Sequence, residues 1–345
     1  MFAGSCEISR VKFPAACCVK IENFTYWYPV ACVGVVHLEN MNPRKKPIIP
    51  ARLYPGDVVA IAAPGSPFKK KALNQGIAAL EAMGFGVRVP EGLFDEQGYL
   101  AGSDAHRAEQ FNALFKDPAV KAIICARGGY GSLRILPRID YAAVGKHPKI
   151  VVGFSDVTAL LTALWVRCAL VGFHGPLATT LADVTVRSRK ALSAALSSGD
   201  PIEITATQNP AVLKSGKASG PLIGGNLATL CHLLATPFFP DLTGGILFIE
   251  DIGEAPYRID RMLSQMKLAG CFRQLAGLAL GSFKNCGLQK EHHRIVADVF
   301  GDLDIPILSG FEIGHGRTNR CVPIGLSATL DTRRRSLKFH EAATL

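Results

Sequence analysis

Three short segments of this chain join an apolar, strand-like run to glycines and a reactive side chain. In Val151-Val152-Gly153-Phe154-Ser155-Asp156-Val157 a buried strand turns sharply into a helix, with Ser155 at the bend. A serine there projects from the carboxyl edge of a sheet, and the amides opening the helix, that of Asp156 among them, can stabilise an anion. The segment is similar to a nucleophile elbow, except that Val157 stands where a second glycine is usual. Capping of the helix by Ser155 or Asp156 is the competing reading. In Gly245-Ile246-Leu247-Phe248-Ile249-Glu250-Asp251 an apolar strand runs straight into two acids. A carboxylate so placed could orient a histidine and stabilise its imidazolium form. Glu254 lies close enough to compete for that role. In Gly314-His315-Gly316 the glycines let a loop approach a site closely, and histidine is the usual general base near neutral pH. His174, in Gly172-Phe173-His174-Gly175-Pro176, has a similar context and is the main rival.

A fourth segment, Arg127-Gly128-Gly129-Tyr130-Gly131-Ser132, follows a strand and precedes a helix as a phosphate-cradling loop does. It lacks both the G-x-G-x-x-G order and the G-K-[S/T] ending of phosphate loops. An oxyanion-binding role suits it better, because this loop and the Ser155 loop leave the same edge of one sheet.

These segments are positioned by a regular alternation of strand-length apolar runs and helix-length amphipathic runs that starts near Leu53. Strands are expected at 57–63, 86–89, 120–126 and 149–152. Helices are expected at 69–83, 131–136 and 157–166, with another running from a Ser103-Asp104 cap to Phe115. That βαβαβαβ order implies a parallel, Rossmann-like sheet covered on both faces. After Gly172 come a polar helix at 184–196 and a strand at 202–206. Beyond a boundary near Lys214, helices at 226–234 and 257–268 alternate with strands at 245–249 and 275–283, and short strands continue to Phe339. The expected organisation is an extension over 1–50, an α/β domain with the serine over 51–205, and a smaller mixed α/β domain over 216–340. The extension lacks sustained periodicity, and Met41, ahead of a basic, proline-bearing stretch, is a candidate natural start.

Composition excludes several classes. A chain of 345 residues with 48% hydrophobic and 19% charged residues is not disordered. Its longest apolar runs fall short of the roughly 18 to 20 residues that a spanning helix needs. The net charge of +10 is concentrated at the ends, including Arg333, Arg334 and Arg335, so a nearly neutral body and a solvated basic tail are expected, with no nucleic-acid partner. The 10 cysteines contain no C-x-x-C pair and read as reduced, buried thiols of a cytoplasmic protein.

Taken together, Gly56 to Pro67, Arg127 to Gly131, Gly153-Phe154-Ser155-Asp156, Gly224-Gly225-Asn226-Leu227, Ile249-Glu250-Asp251 and Gly314-His315-Gly316 resemble the LD-carboxypeptidase family from about Tyr54 to Leu330. That family comprises serine peptidases, the murein tetrapeptide carboxypeptidases and microcin C7 immunity proteins among them. The resemblance implies a triad of Ser155, Glu250 and His315, split between an N-terminal α/β domain and a smaller C-terminal one. It further implies release of D-alanine from murein tetrapeptide in cell-wall recycling, without metal or organic cofactor. The amides of Gly129 and Asp156 are the expected oxyanion donors, and Arg127, His174 and Asn226 the expected substrate contacts. The expected partners are a small peptide substrate and a second copy of the chain, with no membrane. Cleavage of a peptidyl-nucleotide amide, as in immunity proteins, is the rival activity. A non-catalytic binder of nucleotides or murein peptides, with Ser155 merely capping a helix, is the rival of another class.

Overall fold

The computed structural model describes residues 46–345 and the backbone of two earlier strands, β1 (Val19–Ile21) and β2 (Phe24–Tyr26), which pair antiparallel. The rest of the expected extension, the candidate start at Met41 included, lies outside the described residues. Its last part belongs to the folded body: Ile48 exchanges backbone hydrogen bonds with Ala169 and Val171, and Pro50 accepts one from Leu345.

The first sheet is built from β3 (Val58–Ala62), β4 (Gly86–Arg88), β5 (Val120–Cys125), β6 (Ile150–Gly153) and β7 (Gly172–His174), all parallel, in the order β4-β3-β5-β6-β7. Strand β5 is apolar and buried on both faces from Ala122 to Cys125, as helices covering both faces require, with only Lys121 exposed near its start. Those helices include α1 (Lys70–Ala82), α2 (Asp104–Lys116), the short α3 (Ser132–Ile135) and α4 (Tyr141–Lys146), and α5 (Val157–Cys168). Ser103 caps α2 by accepting from the His106 N–H, as its sequence suggests. In α5 every residue from Val157 to Leu164 is buried, so this helix is covered nearly all round. The chain order reverses between β3 and β5, and at such a switch point the loops leaving the carboxyl ends of neighbouring strands open a crevice.

The second sheet is mixed. After α6 (Val186–Ser197) come β8 (Pro201–Thr205), β9 (Val212–Lys214), β10 (Lys217–Asn226), α7 (Leu227–Leu233), β11 (Ile246–Ile252), α8 (Pro256–Leu268), β12 (Gly277–Lys284), α9 (Gln289–Phe300), β13 (Ile307–Ser309), β14 (Val322–Ile324), β15 (Ser327–Asp331) and β16 (Ser336–Ala342). Strands β10 to β13 run parallel and in sequence order at its centre.

Two strands cross the expected domain boundary. Residues 201–205, grouped by sequence with the first domain, form the edge of the second sheet because β8 pairs with the C-terminal strand β16. Conversely, β14 returns to the first sheet and pairs antiparallel with β7. The basic tail is no tail: Arg333 and Arg334 lie in the turn between β15 and β16, where Asp331 accepts from both their amides. Leu337 and Phe339 then alternate into the core, which makes 336–342 a strand. Among the described residues no helix is long and apolar enough to cross a membrane.

Candidate active site

Ser155 follows β6 with a φ of 64°, a left-handed conformation that costs a non-glycine residue about 1 kcal/mol. The bend is closed by Val157 N–H donating to Phe154 O and Thr158 N–H to Ser155 O. Val157, the departure from the elbow pattern, is accommodated from the strand side: a Cβ on Gly153 would lie 2.9 Å from the Val157 Cβ. Neither candidate caps the helix. Asp156 occupies the N-cap position without a side-chain cap bond. Its buried carboxylate instead accepts from Ser132 N–H at 2.9 Å. Among the described residues the Ser155 hydroxyl forms no hydrogen bond, so it is committed to no structural task.

The Gly128-Gly129 loop lies against this elbow. A Cβ on Gly128 would stand 3.0 Å from Ser155 Cβ, 3.2 Å from Ser155 Oγ and 3.3 Å from Asp156 N, so a side chain there would crowd the serine. The N–H groups of Gly129 and Asp156 have no acceptor among the described residues, which leaves both available to an oxyanion. Tyr130 N–H donates to Ser66 Oγ and fixes the far side of the loop. Arg107, buried at 2% exposure, binds the carbonyls of Gly102, Pro64 and Gly131 and so ties this loop to the one leaving β3.

Glu250 is fully buried near the end of β11, at a register shift against β12. Its Oε2 accepts from His315 Nδ1–H at 2.6 Å and from His315 backbone N–H at 3.1 Å. A carboxylate opposite Nδ1 fixes the proton there and leaves the lone pair on Nε2. Gly314, at φ 107°, lets the loop pass so close that a Cβ would overlap the carboxylate. The loop is held by the buried Asn319, whose side-chain oxygen accepts from Gly314 N–H. His315 packs on Phe154, the residue before the serine, with centroids 4.7 Å apart. Glu254, the rival acid, faces Arg258 instead.

The expected substrate contacts fare differently. His174 is completely buried, wedged between Phe154 and Phe248, and burial together with nearby His315 depresses its pKa to about 3. It therefore underlies the site as a neutral ring and has no surface for a substrate to touch. Asn226 is consumed by structure: its oxygen caps α7 at Thr229 N–H and its nitrogen donates to Asp251. Asp251 also accepts from Ala228 and Ile252 N–H, while burial raises its pKa to about 6. Arg127 is exposed beside the oxyanion loop, with one guanidinium nitrogen donating to Pro67 O at 2.6 Å. On the His315 side a cavity of about 530 Å³ is lined by Ser282, Lys284, His293, Gly316 and Arg317 among others. Sequence reasoning missed Arg107 and Asn319; each is a polar residue at an unremarked position, with no motif to mark it.

The family description LD-carboxypeptidase N-terminal domain matches residues 59–175, and LD-carboxypeptidase C-terminal domain matches 219–330. A Bacillus subtilis (strain 168) protein described as "Probable murein peptide carboxypeptidase" is 41% identical over 297 residues, covering 82% of this chain and 91% of that one. The murein tetrapeptide carboxypeptidase of Pseudomonas aeruginosa is 32% identical over 288 residues, covering 80% and 94%. The solved structure of the microcin C7 self-immunity protein MccF in its wild-type apo state superposes with a TM-score of 0.80 at 26% identity, covering 87% of this chain and 100% of that one. With both halves of the family matched around a serine elbow and a Glu-His pair, the chain belongs to the LD-carboxypeptidase family of peptidases.

Proposed function

We propose that the chain is a serine-type LD-carboxypeptidase that releases the terminal D-alanine of murein tetrapeptide in cell-wall recycling. The observation that carries this reading is the shared Glu250 Oε2 contact to both His315 Nδ1 and His315 N, beside a strained serine with an uncommitted hydroxyl. Ser155 Oγ attacks the scissile carbonyl as its proton passes to His315 Nε2, and hydrogen bonds of this kind tighten in the substrate complex. The oxyanion takes the amides of Gly129 and Asp156. His315 then delivers the proton to the leaving amine, the acyl-enzyme forms on Ser155, and water activated by the same ring hydrolyses it.

Because His315 must protonate the leaving amine, the departing residue lies on its side of the site. The cavity lined by Gly316 and Arg317, the two residues after His315, also holds Lys284, and these two cations are the proposed receptor for the free carboxylate that every C-terminal residue carries. Such a receptor favours removal of one terminal residue over internal cleavage.

The test is a side-by-side assay of the purified protein on murein tetrapeptide and on an aminoacyl-sulfamoyl adenylate. Release of D-alanine with little or no cleavage of the adenylate is expected. Preferential cleavage of the adenylate would transfer the protein to the immunity-type activity, and tight binding without turnover would make it a binder.

A further inference from the structure

Ser155 follows β6 of the first sheet, whereas Glu250 lies near the end of β11 in the second, and a buried path of polar groups joins the two. It starts at Thr158, in the first turn of α5. The Thr158 backbone N–H donates to Ser155 O at 2.9 Å, and its Oγ1 accepts from Asn226 backbone N–H at 3.1 Å. Asn226 ends β10, level with Glu250 in the pairing of β10 with β11. Its Nδ2 donates to Asp251 Oδ1 at 2.9 Å, and Asp251 Oδ2 accepts from Ala228 N–H at 2.9 Å. A side branch runs back to the elbow: Thr229 Oγ1 donates to Asn226 Oδ1 at 2.9 Å and stands 3.5 Å from Ser155 O. Thr158, Asn226 and Asp251 are all buried. The approach is close, since a Cβ on Gly225 would lie 2.6 Å from Thr158 Oγ1. Asp251 follows Glu250 at the register shift between β11 and β12, and the two adjacent carboxylates divide the work. Glu250 holds His315, while Asp251 holds Asn226 and the start of α7.

We propose that Thr158 is a positioning residue for the reaction: through Asn226 and Asp251 its hydroxyl fixes the Ser155 elbow against the strand end that carries Glu250, and so sets Ser155 in line with His315. The inference rests on the Ser155-Glu250-His315 assignment and adds the group that aligns its two sides. Buried hydrogen bonds suit that task because they are directional and because a donor left unpaired is costly. The packing of Phe154 on His315 brings the two sides together but is less directional. A shift of the elbow against Glu250 misaligns nucleophile and base without touching bound substrate, so it lowers kcat and spares KM.

The test compares Thr158→Val, which keeps the branched shape and removes the acceptor, with Thr158→Ser, which keeps the hydroxyl. Asp251→Asn probes the same path from its far end, since one amide oxygen cannot serve both Asn226 Nδ2 and Ala228 N–H. Two rates are read well below each variant's unfolding midpoint: fluorophosphonate labelling of Ser155, which needs no peptide substrate, and D-alanine release. Thr158→Val and Asp251→Asn should each slow both by at least about tenfold, with KM within about twofold. Thr158→Ser should stay within about threefold of the unmodified protein, and the Val/Asn double variant should be slower than the worse single one by no more than about threefold, because the two residues act on one path. Unchanged labelling and kcat in Thr158→Val, a loss that serine does not restore, a loss confined to KM, or single effects that multiply would overturn the positioning role. D-alanine release by the unmodified protein reports on the carboxypeptidase reading alone. Slowed labelling of Thr158→Val without any release by the unmodified protein sinks that reading and keeps the positioning role, whereas release with equal labelling rates does the reverse.

Discussion

One carboxylate oxygen, Glu250 Oε2, accepts from both the ring Nδ1 and the backbone N of His315, although the two residues are 65 positions apart in the chain. The double contact fixes the loop and the ring together, so tautomer and position are set by a single buried group. Replacing Glu250 with Gln keeps an oxygen that can accept but removes the negative charge that stabilises the imidazolium form, and kcat should fall by about 10³ to 10⁴. Glu254→Gln should leave kcat within about twofold, since among the described residues that side chain pairs with Arg258 and not with His315. Steady-state rates on murein tetrapeptide decide this, and the opposite ranking would move the orienting role to Glu254.

At Gly314 the prediction concerns space. A methyl group there would overlap the Glu250 carboxylate and would have to adopt a φ of 107°. Gly314→Ala should therefore push His315 off its partner and lower kcat by about 10² or more, in keeping with the cost of a 1 Å misplacement. KM should change much less. An alanine variant with wild-type kcat would show that the loop's close approach is incidental.

The strain at Ser155 makes a stability prediction that contacts alone would not. Glycine is ordinarily less stabilising than alanine by about 0.5 to 1 kcal/mol. At a φ of 64° the order should reverse, with Ser155→Gly more stable than Ser155→Ala by about 1 kcal/mol in denaturant unfolding. Both variants should lose at least about 10³-fold in kcat/KM. An alanine variant as stable as the glycine one would mean that the bend relaxes.

His174 is neutral because it is buried, and that neutrality has a pH signature. Its folded pKa, about 3, lies below the ordinary 6.5, so the unfolded chain takes up a proton that the folded chain refuses. Stability is then lost as pH falls below about 6.5, at up to about 1.4 kcal/mol per pH unit. His174→Phe should remove that part of the acid sensitivity, seen as a flatter stability curve between pH 6 and 4. Identical slopes for the two proteins would show that His174 is protonated in the folded state.

The candidate site was more legible in the sequence than its supports. Ser155, Glu250 and His315 each sit at the junction of a strand or loop with glycines, where the pattern of apolar runs marks the edge of a sheet. His174 shared those local features with His315, and only complete burial between Phe154 and Phe248 separates a core ring from one that reaches the surface. Asn226 was an expected contact through the family resemblance; its role as cap of α7 depends on Asp251 and Thr229, neighbours that the fold brings together. Helix α9 was missed because its first six residues are polar or charged and its apolar face, Ile295, Val296, Val299 and Phe300, fills only the second half. The exchange of β8 and β14 between sheets follows from pairing over long distances, to which period-2 patterns are blind.

Covalent trapping tests whether the elbow serine is the nucleophile. Incubation with a fluorophosphonate followed by peptide mass spectrometry should place a single adduct on Ser155, in step with loss of D-alanine release, and the adduct should form far more slowly in His315→Ala protein. An enzyme that releases D-alanine at full rate while Ser155 stays unlabelled, or that loses activity through labelling at another residue, would contradict the Ser155-His315-Glu250 assignment.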